Sequence, residues 1–115
     1  MSLRADELFA ASPHVRYVAL YRAGELELHQ RDGLADASAG ETDRFEELLV
    51  NPAVLTLARQ RGEIDCGGLD YVLIRYGNFF QLVHPLADGH ASIAIEPGDH
   101  VLGVVEELRP LLAGR

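Results

Sequence analysis

At 115 residues the chain is long enough for one domain that buries roughly 65% of its unfolded surface, and its 48% hydrophobic content excludes disorder over most of that length. The formal charge is −8, and all ten basic residues are arginine, so a Schiff-base lysine, a phosphate-loop lysine and a lysine general base are excluded. The acidic balance and scattered arginines also argue against nucleic acid as a partner, because phosphate binding needs clustered cations.

The first predicted element is a short helix over residues 2–11, with Ser2 as N-cap and Asp6 and Glu7 in the early turns. Pro13 ends it. Residues 15–22, VRYVALYR, follow as a strand with apolar groups on both faces. Val15, Tyr17 and Ala19 lie on one side, Val18 and Leu20 on the other. Such a strand is central and covered on both sides. Ala23-Gly24 is a turn signal. Residues 25–30 then alternate, with Leu26 and Leu28 inward and Glu25, Glu27 and His29 outward.

Residues 31–41 are polar and rich in small side chains, the pattern of a flexible loop. Asp43 and Glu46 have capping-box spacing and predict a helix start. Phe45, Leu48 and Leu49 form its apolar stripe, and Val54, Leu55, Leu57 and Ala58 extend it. Asn51-Pro52 predicts a kink or a restart, since Pro52 has no N–H and Asn is a good N-cap. Gly62 is the expected stop.

Three strands are predicted next, over 69–76, 79–84 and 90–95, joined at Gly77-Asn78 and Asp88-Gly89. Asp99 is the expected N-cap of a last helix carrying Val101, Leu102, Val104, Val105 and Leu108. Pro110 is expected to block its continuation, leaving 113–115 as a tail. The order α-β-β-α-β-β-β-α gives an α+β fold of one domain over 1–115, a five-stranded antiparallel sheet with helices on both faces.

Little in this pattern reads as chemistry. His84 and His90 bracket a turn and with Asp88 or Asp99-His100 could converge on a metal, but no CxxC, HExxH or i,i+4 His pair occurs, so solvated turn histidines are the expectation. Cys66 is flanked by Glu63, Asp65 and Asp70, which would raise its thiol pKa, so it reads as a small packing residue. A single cysteine also excludes an internal disulfide. Glu46-Glu47 and Glu106-Glu107 read as solvated faces, not as a carboxylate dyad. Neither catalytic, cofactor nor metal residues are assigned. The apolar runs fall short of the roughly 20 residues needed to span a bilayer, and the N-terminus lacks an apolar signal core, so the expected location is cytoplasmic, without membrane insertion.

The most distinctive stretch is LDYVLIRYGNFFQLVHPL, where Tyr71, Arg75, Tyr76, Phe79 and Phe80 crowd a strand that would be an aggregation hazard if left open. Either the chain itself covers this strand or a second copy does. This stretch, with YVALYRAGELEL before it and HVLGVVEEL after it, resembles the Roadblock family of dynein light chains and bacterial GTPase regulators over about residues 3–112. The resemblance implies a profilin-like or longin-like domain without catalytic residues that forms a homodimer. Its third strands would pair and its second helices pack. Mapped here, the implied interface is Phe45, Leu48, Leu49, Val54 and Leu55 with Tyr71, Leu73, Ile74 and Arg75. The implied partner is a small Ras-like GTPase, and a bacterial GTPase-associated role fits better than a motor role. The alternative is a small-ligand sensor of profilin-like or PAS-like architecture, with a pocket lined by Tyr17, Tyr21, Phe79 and Phe80. A third reading is an enzyme using His84, Asp88 and His90.

Overall fold

A computed structural model describes residues 3–115. Helix α1 spans Ala5–Ala11, strand β1 Val15–Arg22 and β2 Glu25–Gln30. A long helix follows, made of α2 (Gly40–Phe45), a π-helical turn (Glu46–Val50) and α3 (Asn51–Asp65). Then come β3 (Val72–Arg75), β4 (Phe80–Leu86), β5 (Gly89–Ile95) and α4 (Val101–Leu112). The five strands form one antiparallel sheet in the order β2-β1-β5-β4-β3. The expected architecture is therefore found, with β2 and β3 at the two open edges.

Sequence chemistry explains the joints. Ala23 and Gly24 both take positive φ, 52° and 81°, the geometry of the tight turn that matches strand twist. Gly89 must lack a side chain: a Cβ there would lie 1.7 Å from the Tyr21 carbonyl oxygen on the neighbouring strand. Helix α1 starts at Ala5, with the Arg4 N–H donating to Glu7 Oε1 at 3.2 Å. The expected cap, Ser2, lies outside the described residues.

The main core lies on one face of the sheet. Leu8 of α1 and Val104, Val105, Leu108 and Leu112 of α4 pack against Val18, Leu20, Leu82, Ile93 and Ile95. Each such side chain contributes about 1.5–3 kcal/mol by leaving water. Val15 belongs to this core and does not share a face with Tyr17. A bulge between Val15 and Tyr17 breaks the alternation that the sequence pattern predicts.

Several boundaries differ from expectation. Asp43 is not a cap; it sits inside α2, buried, with its Oδ1 accepting from Ser38 Oγ at 2.5 Å. The helix does not restart at Asn51, which is itself helical at φ −65° and ψ −41°. In a regular helix the Pro52 ring would collide with the Leu48 carbonyl. The π-helical turn just before it widens the coil there, and the Asn51 N–H reaches back to the Glu46 carbonyl. Gly62 does not stop the helix. It is buried against the Gly68 backbone, and its carbonyl accepts from the Cys66 and Gly68 amides at 3.1 and 3.0 Å. Pro110 sits within α4, which runs on to Leu112. The β3 strand is shorter than its apolar run.

Candidate functional site

The second face of the sheet is covered by the α2–α3 helix, and beside a small apolar cluster of Tyr17, Ala19 and Ala94 its interior holds a polar network. Glu47 is fully buried at its centre. The Tyr17 hydroxyl donates to Glu47 Oε2 at 2.8 Å. The Asn51 side-chain amide donates to Glu47 Oε1 at 2.8 Å, and His90 Nε2 lies 2.8 Å from the same oxygen. Asn51 Nδ2 also reaches Ser92 Oγ at 3.2 Å, and Gln81 donates to that hydroxyl. Tyr17, Gln81, Asn51, His90 and Ser92 are all buried. Asn51 Oδ1 is buried without a hydrogen-bond partner among the described residues.

The electrostatics follow from burial and crowding of like charge. Burial, then the neighbouring Glu47 and Asp43 carboxylates, push Glu46 up to about 7, while a hydrogen bond from Tyr76 acts in the opposite direction. Asp43 is raised by burial and by Glu47, with its Ser38 bond opposing. Tyr17 is raised by burial and by Glu47, so it stays a neutral donor. The Glu46-Glu47 pair is thus not a solvated face; Glu47 is sealed inside and Glu46 is half-buried.

His84 and His90 are not solvated turn residues either, being 6% and 2% exposed. Their register, His84 opposite Ala91 and Pro85 opposite His90, sends them to opposite faces of the sheet, so they cannot converge. Burial, with Arg109 nearby, lowers the His84 pKa, against a bond to the Pro85 carbonyl at 2.9 Å. Among the described residues no group of three or more His, Cys, Asp or Glu could hold a metal ion. Cys66 is exposed beside Asp65 and is not a packing residue. The four residues Tyr17, Tyr21, Phe79 and Phe80 share no single pocket: Tyr17 also lines an open hollow of about 220 Å³ and Tyr21 one of about 150 Å³, Phe80 packs on the other core, and Tyr17 and Phe79 line a cavity of about 10 Å³. That is space for about one water.

The outer surface of the same helix carries large apolar side chains among its charged ones. Phe45 (57% exposed), Leu49 (61%), Leu57 (69%) and Ile64 (76%) run along it, with Leu48 beside them. The helix departs from the ordinary amphipathic pattern in its first half, burying Asp43, Glu47 and Asn51 and exposing Phe45, Leu48 and Leu49. Of the residues expected at an interface, Phe45, Leu48 and Leu49 lie on this outer surface, and Val54 is half-buried. Leu55 is buried in the single chain at 5% exposure and faces the sheet. On the open edge strand, Leu73 and Ile74 are half-buried and pair with Leu82 and Gln81. Arg75 is exposed, with its guanidinium over Phe80, and Tyr71 is half-buried under Arg109. The chain's own arginines therefore cover part of the aromatic group, but the β3 backbone edge has no neighbour among the described residues. Ile64 and the Tyr17–Glu47–His90 network were not foreseen from the sequence.

No family model and no curated protein matches this chain. Among the described residues no helix is long and apolar enough to cross a membrane.

Proposed function

We propose that the chain is a non-enzymatic, homodimeric interaction module that regulates a small Ras-like GTPase. The observation that carries the dimer is the outward apolar surface of Phe45, Leu48, Leu49, Leu57 and Ile64 on a helix whose inward side is polar. Several large apolar side chains exposed on one helix are a feature of interaction surfaces. A second copy fits it because the chain enters the open β3 edge directly after α3. A two-fold pairing would cover the helix surface and satisfy the unpaired strand edge together. The burial of the polar network supports the non-enzymatic reading, since Glu47, Tyr17, Asn51 and His90 bond chiefly to one another. The GTPase rests on the Roadblock resemblance alone.

Leu49→Asp tests the dimer. A folded protein of half the wild-type mass is expected; an unchanged mass would remove this surface from the interface. The GTPase claim is tested by following nucleotide hydrolysis by a small Ras-like GTPase of the same source organism. An unchanged rate and no complex would remove that claim and leave the dimer standing.

A further inference from the structure

The helix's two lines of side chains would each fan out over a wide arc in a regular α-helix. The buried line is Asp43, Glu47, Asn51 and Leu55; the exposed line is Phe45, Leu49, Ala53 and Leu57. Both advance in steps of four. In an α-helix each such step overshoots one turn by roughly 40°, so three steps would swing the first residue about 120° away from the last. Asp43 would then sit at one margin of its side and Leu55 at the other, and likewise Phe45 and Leu57. The π-helical turn at Glu46–Val50 takes more residues per turn and removes most of that drift. It aligns both lines at once, the polar one against the sheet and the apolar one outward.

A π-helical turn is less favourable than α and needs something to hold it. Two features are at hand. Pro52 cannot donate to the ladder, and Glu47, inside the turn, is tied to β1, α3 and β5 through Tyr17, Asn51 and His90. Relaxing the turn to α would rotate Glu47 away from Tyr17 and His90 on the sheet and leave buried polar groups unpaired, while Asn51, four residues on, would stay beside it. The missing Pro52 N–H is the same in either form, but its ring clash with the Leu48 carbonyl also favours the wider turn, so Pro52 and the network are separated by substituting each on its own.

We propose that Glu47 is a positioning residue for the docking surface: its buried bonds hold the π-helical turn, and the turn brings Phe45 and Leu49 into line with Leu57 for a second copy. This rests on the homodimer reading above. It assigns the polar network a task, since an apolar interior would pack this helix equally well but would leave its phase to the α period.

The test is an NMR measurement of through-hydrogen-bond coupling, which identifies the carbonyl that accepts from the Asn51 N–H, together with the dimer dissociation constant. In the wild type the acceptor is Glu46. In Glu47→Leu the acceptor is expected to become Glu47's position, with dimer affinity falling tenfold or more in a chain that stays folded. Pro52→Ala, which leaves the network intact, is expected to keep the Glu46 acceptor and wild-type affinity, and it decides the matter if Glu47→Leu does not fold. Retention of the Glu46 acceptor in Glu47→Leu, or its loss in Pro52→Ala, would overturn the proposal. A monomeric wild type with the acceptor switch intact would overturn the dimer reading and leave Glu47's hold on the turn standing.

Discussion

The Glu47 carboxylate and the His90 imidazole, 43 residues apart in the chain, lie 2.8 Å from each other with both side chains sealed from solvent. The pair joins the middle of the long helix to β5. A buried carboxylate is tolerated only when its lone pairs are filled, and Tyr17 and Asn51 complete the set.

Removing Glu47 should therefore be costly. Glu47→Ala strands three buried partners and is expected to lower stability by about 3 kcal/mol or more. Tyr17→Phe, which removes one donor, should cost about 1–2 kcal/mol. Urea denaturation of each variant reads both values, and equal, negligible losses would contradict the network's structural role.

The two sides of the helix should respond oppositely to truncation. Leu55→Ala leaves a cavity beneath the helix and is expected to cost about 2–5 kcal/mol at any protein concentration. Leu57→Ala should change the stability of the single chain by less than about 0.5 kcal/mol but weaken self-association. Denaturation at high dilution, compared with concentrated protein, separates the two effects.

Much of the fold is legible in the sequence because β-branched strands and Ala-Gly or Asp-Gly turns act locally. The helix from 40 to 65 is where local rules mislead. Asp43, Asn51 and Gly62 each resemble a terminus signal, yet each is buried in the helix interior, where tertiary partners override the local preference. The steps of four at Asp43-Glu47-Asn51 and Phe45-Leu49-Ala53-Leu57 are visible in the sequence as two stripes of opposite character. Which stripe faces the sheet is not, because that depends on Tyr17 and His90 from distant strands. Val15 is misassigned for a similar reason, since a bulge leaves no signal in an alternating run.

Glu46 predicts a pH dependence. Its pKa rises from 4.5 to about 7 on folding, through burial and then its acidic neighbours. Between those values the folded chain keeps a proton that the unfolded chain has released. Stability should therefore fall as pH rises from about 4.5 to about 7 and lose nothing more from this group above that. Glu46→Gln should flatten this part of the profile. His84, lowered by burial, acts in the other sense and costs stability as the solution is acidified, so the wild-type-minus-variant difference is the quantity to compare.

Gly89→Ala should destabilise the chain by about 1–3 kcal/mol or more, because the added carbon meets the Tyr21 backbone and neither strand can move without breaking pairs. A melting temperature equal to wild type would show that the strands yield there.

The central claim is that a second copy covers the apolar side of the helix. Light scattering on size-exclusion fractions over a range of concentrations tests it most directly. The account predicts a mass of twice 12.6 kDa that falls toward 12.6 kDa for Leu49→Asp. A wild-type mass of 12.6 kDa at every concentration would contradict it.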